Sequence, residues 1–387
     1  MPHSIIDTSP ANHCYTGGLI CNLADPSSPR RPDYLCGEFT WDGGIRYLNW
    51  YHEDNGAWTR TRVADGIGIA VGMGCADLTG NGKGDIISAE WRLADRGKEA
   101  EEGHIYWWEQ PDDPINEPWT RHILATSWEK THDLFIGDIR GRGRSDVLVR
   151  MKDGRMSWFE APDDPRKPWT ETLVVSEQPG DGTALFDLTG SGSLDIVTAP
   201  GYYENVNGDG SAWTFRPFTE LNDLNVDHET RIAAADLMGD GSACVVLSES
   251  ELLQNARILL LHSADKGNSW TVHTLIDQDR DLGAIHSLQI TDLDGDGRPD
   301  IFAAEMELYV KDADFTRRPT WKAFLNRGGL KFEESTVLDA NLGAHMGAAG
   351  PITSTTHADF VAKNWSANVD NAHDGLNHVV HVSGWTG

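Results

Sequence analysis

Cations, cysteines and long apolar runs are all scarce in this chain, and each shortage removes a class of function. Against 60 Asp and Glu stand 32 Lys and Arg, a formal net charge of −28 at pH 7. So anionic a surface repels nucleic acid and anionic membranes, so neither is expected as a partner. No uninterrupted apolar stretch approaches the length of a membrane-spanning helix. There is no Ser-His-Asp order, no His-Glu-x-x-His motif and no Gly-rich phosphate loop, which argues against peptide or ester hydrolases and nucleotide enzymes. Met1-Pro2-His3 does not open a signal peptide, leaving a cytosolic chain or a mature secreted form. Only five cysteines occur. Cys14, Cys21 and Cys36 crowd the N-terminal segment, where one disulfide with one thiol left over is expected. Cys75 and Cys244 sit in apolar runs and read as small buried hydrophobes. Together with the sequon Asn364-Trp365-Ser366, the cysteines point to an extracellular location.

What the sequence has in quantity is glycine and tryptophan: 40 Gly and 15 Trp in 387 residues, the signature of an all-β protein with many tight turns. Self-comparison gives the organisation. Five segments carry an Asp, a Gly three later, a Gly five later and usually an Asp eight later. They begin at Asp77, Asp138, Asp187, Asp236 and Asp292, and the fourth ends in Cys244 instead of Asp. Each lies between two short apolar runs, as a hairpin turn does. A second element follows each hairpin. Tyr106-Trp-Trp-Glu-Gln-Pro leads to Trp119-Thr, Ser157-Trp-Phe-Glu-Ala-Pro leads to Trp169-Thr, and Trp213-Thr and Trp270-Thr mark the same place later. Two hairpins per repeat make a four-stranded blade.

The two ends complete the count. Pro32-Asp33 through Glu38 aligns with Pro299-Asp300 through Glu305, giving a degenerate first blade. A seventh starts near Asp359 and runs out of chain before its outer strand. His3–Ser9 resembles Arg121–Ser127 and supplies that strand. The expectation is therefore an all-β, seven-bladed β-propeller with four-stranded blades, its ring closed by the N-terminal strand. As a single monomeric domain its blades cover about 13–64, 65–125, 126–178, 179–220, 221–278, 279–340, and 341–387 plus 3–9. The Trp-Thr tryptophans are expected to pack between blades.

The hairpins resemble the FG-GAP/VCBS repeat family, most fully at Asp292-Leu-Asp294-Gly-Asp296-Gly-Arg-Pro-Asp300. Oxygens alternating at 292, 294, 296 and 300 suit a hard cation, so a structural Ca²⁺ is expected there. Asp77, Thr79, Asn81 and Asp85 make a weaker second set. Arg140 and Arg142 replace ligands in the third blade. Chemistry is expected on the opposite face, where loops between second and third strands meet those between blades. Aligning the repeats places Glu38, Glu90, Met151, Pro200, Glu249, Glu305 and Asn364 there. Beside them come Trp91, Arg92, Arg150, Lys152, Tyr202, Tyr203, Lys363 and Trp365, with His104 opening a third strand. On the entry side lie His132, Asp133, Asp181, Asp227-His228-Glu229, Arg231, His286 and His345.

Aromatic rings beside Arg and acids suit an oligo- or polysaccharide. A glycosidase would take a carboxyl pair from Glu90, Glu249 and Glu305. A lyase acting on a uronate needs cations to neutralise the carboxylate, for which Arg92, Arg150 and Arg231 are at hand, and His or Tyr202 as base and acid. At this level the chain resembles fungal single-domain propellers that act as L-rhamnose-α-1,4-D-glucuronate lyases on arabinogalactan-type gums. The likeness is carried by its size, by Trp107-Trp108-Glu109-Gln110-Pro111 after His104 and by the histidine-ringed mouth. It also looks like the propeller part of fungal aldos-2-ulose dehydratases, which carry extra cupin domains. The single propeller favours the lyase. The resemblance makes His104 the first choice for base or acid, with His132, His228, His286 and His345 behind it. Trp91, Glu90, Glu305 and Asn364 join the arginines as expected substrate contacts. A lectin-like propeller, a glycoside hydrolase or a sugar dehydratase are the alternatives.

Overall fold

A computed structural model describes residues 2–40, 45–65, 69–90, 103–126, 128, 131–152, 154–177, 181–227, 229–306, 318–365 and 375–387. Seven four-stranded antiparallel sheets follow one another along the chain. Their inner strands are His13–Cys21, Ile69–Ala76, Thr131–Gly137, Thr183–Phe186, Thr230–Ala235, Ile285–Thr291 and His345–Gly350. We number the blades one to seven in that order. The N-terminal strand His3–Ser9 is the outer strand of blade seven, pairing antiparallel with Asn377–Val382 from His3 opposite Val382 to Ser9 opposite Asn377. The expected closure is therefore the observed one, and it joins both ends of the chain in one sheet.

The repeated acids hold the hairpins together. Asp77 accepts the amides of Asn81 and Gly82, at 3.0 and 2.8 Å, and Asp187 and Asp236 do the same in their own turns. Where the motif ends in an acid, that acid ties the turn to the third strand. Asp85 accepts from Leu78 and from Gln110, as Asp300 does from Leu293 and Asn326. Between blades the core is aromatic. Trp119, Trp169 and Trp270 are buried against neighbouring blades, and Trp119 and Trp169 each donate the indole N–H to a proline carbonyl.

All five cysteines are free thiols, so the expected disulfide does not form. The register explains why. Cys14 pairs with Phe39 and Cys21 with Asp33, which leaves Cys36 three residues from either partner position. That is an offset of about 10 Å along a strand, beyond what a disulfide spans.

Toward the axis the inner strands converge until side chains no longer fit. A Cβ on Gly72 would lie 2.5 Å from the Leu134 amide nitrogen of the next blade. One on Gly18 would lie 2.2 Å from the Met346 carbonyl oxygen. These glycines let the strands surround a central cavity of about 340 Å³, with Met73, Cys75, His132 and Met346 in its wall. Replacing Gly72 by Val should force blades two and three apart. Chemical denaturation is expected to show a loss of about 2 kcal/mol or more, whereas Gly56→Ala, in an open turn, should cost less.

Candidate active site

Charged side chains at one end of the axis form the candidate site, and three of its members are histidines aimed by β-bulges. In blade three the register skips from Thr131 to Asp133, and in blade six from Ile285 to Ser287. His132 and His286 are thus the extra residues of their bulges. In blade seven the register breaks between His345 and Ala348, and Met346 takes a positive φ of 61°. Bulges re-aim side chains without ending the strand, and they concentrate beside active sites.

The rings of His286 and His345 stack with centroids 4.0 Å apart and planes at 23°. His345 also leans on the Trp365 ring at 4.9 Å. Each histidine faces a buried cation. Arg231 Nη2 lies 2.5 Å from His286 Nε2, and Lys363 Nζ donates to His345 Nδ1. Lys363 is fully buried and also donates to the Tyr15 carbonyl at 3.0 Å. Burial, followed by the charge of Arg231, holds His286 well below the usual imidazole range. Burial and Lys363 do the same to His345. Both rings are therefore neutral near pH 7.

His132 stands in the opposite environment. Its Nδ1 is 2.9 Å from Asp133 and its Nε2 3.7 Å from Asp181. Asp133 also accepts from the Gly182 amide at 3.1 Å and the Thr183 hydroxyl at 3.0 Å. Burial would raise the Asp133 carboxyl, but the charge and hydrogen bond of His132, then Arg150 and Arg231, outweigh it and hold it well below the usual carboxylate range. Arg150 itself is buried and donates to the Gly182 carbonyl at 3.0 Å. Lys152 bridges Asp181 and Glu229, and these two acids raise its pKa although burial alone would lower it. Glu251, 3.3 Å from His286 Nε2, completes the ring of charge.

Of the residues expected at the mouth, His132, His286, His345, Arg150 and Arg231 are thus brought together. His104 lies on a third strand, stacked on Tyr106 at 5.4 Å and 3.3 Å from the buried carboxylate of Glu90, which Tyr106 also approaches. Trp91, Arg92 and His228 fall outside the described residues. Four of the expected mouth residues are engaged within the fold. Tyr202 donates its hydroxyl to the Gly267 carbonyl and packs on Phe218 and Trp270, so it belongs to the core between blades four and five. Glu305 is engaged by the Gly283 amide and by the Thr320 amide and hydroxyl. Asn364 is buried, donating to Asn377 and accepting the His378 amide, which also withdraws the sequon from modification in the folded protein. Glu249 is likewise saturated, by Arg257 and the Asp227 amide. Sequence reasoning passed over Glu251, which lies in a loop outside the repeat pattern.

On the opposite face, Asp292, Asp294 and Asp300 bring oxygens within 4.8 Å of one another, close enough for one cation with bonds of about 2.3–2.6 Å. Asp296 departs from the expected set: it pairs with Arg298 and faces Arg327, which also reaches Asp294 at 3.1 Å. Asp138 makes the same turn, accepting the Arg142 and Gly143 amides, with arginines at 140 and 142. Three of the four acids therefore fit a cation, and the turn itself does not require one.

The neutral histidines set a pH dependence of stability. Unfolded imidazoles take up protons below about pH 6.5, while the folded rings resist protonation until lower pH. Stability should therefore fall with decreasing pH below 6.5, by about 1.4 kcal/mol per pH unit for each histidine until its folded pKa is reached. Urea unfolding between pH 6.5 and 5 is expected to show this slope, and His286→Asn/His345→Asn should flatten it.

No protein-family model matches the chain. Among curated proteins, an aldos-2-ulose dehydratase of Phanerodontia chrysosporium is 25% identical over 331 residues, which cover 76% of this chain and 35% of that protein. The chain thus spans about a third of the length of this curated relative. Among solved structures, the α-L-arabinanase of Penicillium chrysogenum, complexed with arabinobiose, aligns with a TM-score of 0.50 at 11% identity over 99% of this chain and 98% of that one. The NanB sialidase of Streptococcus pneumoniae aligns with a TM-score of 0.45 at 11% identity, over 99% and 70% of the two chains. The dehydratase and the arabinanase are carbohydrate-processing enzymes by name, and the likeness to the arabinanase is one of fold.

Proposed function

We propose that this protein is a carbon–oxygen lyase that cleaves a uronate-containing polysaccharide by β-elimination at the axial mouth. The observation that carries the reading is the stacked pair of buried histidines, each facing a buried cation. Removing the C5 proton of a uronate puts negative charge on the adjacent carboxylate, so the site needs a base and a fixed positive charge in contact. In the free protein Arg231 and Lys363 occupy the accepting nitrogens of His286 and His345. An incoming carboxylate draws these cations onto itself and releases an imidazole lone pair beside C5. Arg231 also keeps an Nε–H without a hydrogen-bond partner among the described residues. The base takes the C5 proton, the C4–O4 bond breaks and a C4=C5 double bond forms. His132, with carboxylates at both ring nitrogens, is placed to hand a proton to the departing O4. The substrate class is a rhamnosyl-(1,4)-glucuronate or similar linkage of an arabinogalactan-type gum, met outside the cell.

A sugar dehydratase is the second reading, favoured by the curated relative; loss of water β to a carbonyl uses the same base and cation. The hydrolase reading weakens because Glu249 and Glu305 are committed to Arg257 and to backbone amides. Incubation with rhamnose-capped glucuronate glycans should produce the ultraviolet absorbance of an unsaturated uronate. New reducing ends without that absorbance would indicate hydrolysis, and binding with neither would indicate a lectin. Replacing His286 or His345 by Ala should lower kcat at least about 100-fold. His104→Ala should cost much less; an equal loss would transfer the base role to His104.

A structural Ca²⁺ at Asp292, Asp294 and Asp300 accompanies this reading. Chelation should then lower Tm by about 3 °C or more, with recovery on adding calcium. Asp294→Asn should abolish the response. A Tm indifferent to chelator would leave Arg298 and Arg327 as the only countercharges of this turn.

A further inference from the structure

A second pocket opens on the mouth face, between blades four and five, with a volume of about 240 Å³. Its floor is apolar and buried, made by Ala199, Phe218 and Leu221. Its rim carries Asn222, Asn225 and Asp227. The turn at Ala199 joins the second and third strands of blade four, and the 3₁₀ helix Thr219–Leu224 begins the crossing to blade five. The rim is built. The buried guanidinium of Arg257 donates to the Leu224 and Asn225 carbonyls at 2.8 and 3.1 Å, and Glu249 holds both Arg257 and the Asp227 amide. Asn225 is fixed at a positive φ of 46°. The carboxamides of Asn222 and Asn225 have no hydrogen-bond partner among the described residues. The rim is tied to the axial site by bonding: Asp227 accepts the amide of Glu229, which pairs with Lys152.

We infer that this pocket binds a neutral pyranose or furanose unit of the same glycan whose uronate enters the axial mouth; the second half of this statement rests on the lyase reading. An apolar floor for a sugar face, with amides and one carboxylate for hydroxyls, is the chemistry of neutral sugar recognition. Among the described residues no cation lines the pocket, and Asp227 is its charged lining group. The volume admits one ring. Charge thus sorts the substrate: cations on the axis take the acidic unit, and the pocket beside them takes an uncharged neighbour.

The test uses Asn222→Ala/Asn225→Gly, which removes both carboxamides while glycine preserves the backbone at 225. Saturation-transfer NMR with D-galactose, L-arabinose and L-rhamnose should show binding of at least one of them to the wild type and to His286→Ala, and none to the double variant. On gum polysaccharide the double variant should raise KM about tenfold with kcat unchanged, while a short uronate fragment is turned over as before. Monosaccharide binding that survives the double variant, or no binding to the wild type, overturns the pocket. Should no glycan yield an unsaturated uronate while monosaccharide binding still depends on Asn222 and Asn225, the pocket stands and the lyase reading falls.

Discussion

Between Arg231 and His286, and again between Lys363 and His345, a cation faces an uncharged ring in a space almost closed to water. Burying such cations is expensive unless acids nearby compensate them. Here the compensation is spread unevenly. Asp133, Asp181 and Glu229 gather around His132 and Lys152, while Glu251 approaches the histidine pair. The axis is thus divided into a region rich in anions and one rich in cations, although the surface as a whole is strongly acidic. The proposed β-elimination draws on this arrangement, since it places fixed positive charge beside a base.

The scaffold makes the arrangement possible by holding the groups on different strands. His132, Arg231, His286 and His345 come from four inner strands, and Lys363 from the end of a second strand. Arg231 and His286 are anchored in neighbouring sheets, and Lys363 and His345 are cross-strand partners within the seventh blade, so in both pairs the ring of sheets holds the cation against its imidazole. The seam is the seventh blade, where Asn377 donates to the Pro10 and His13 carbonyls next to the N-terminal strand. Closure of the ring and integrity of the site are in this sense one property. Loss of the pairing between His3–Ser9 and Asn377–Val382 would loosen the sheet that carries both His345 and Lys363.

The architecture was legible because the hairpin repeat is dense in residues with one physical use. An Asp four and five residues before two amides, with glycines at positive φ, specifies a turn wherever it occurs, so counting turns counts blades. The site was legible only in part. Alignment put His132, His286, His345, Arg150 and Arg231 at one mouth because they occupy equivalent ends of equivalent strands. It placed Glu249, Glu305 and Asn364 there for the same reason, and these three turn back to amides and side chains of their own blade or its neighbours. Position along a strand fixes the end at which a residue sits and leaves its direction open. Nor does any pattern mark the bulges at His132 and His286, since an extra residue in a strand leaves the composition of the repeat unchanged. Tyr202 is a related case: its ring is long enough to cross to the next blade, where the hydroxyl donates to the Gly267 carbonyl.

The bulges also bear on how such a site could arise on a repeat scaffold. In a regular strand, neighbouring residues alternate between the two faces of the sheet, and in a blade both faces pack against neighbouring blades. An inserted residue breaks that alternation once, at the end of the strand, and leaves the hairpin and its core contacts in register below it. His132 and His286 occupy such insertions, so they are released from the pairing that governs the rest of the blade. Chemistry is then added at the rim without disturbing the glycine-dependent contacts around the axis, and the acids that shape the hairpins at the far face remain structural. The two ends of each inner strand therefore answer to different constraints: backbone hydrogen bonding at one, and the placement of charge at the other.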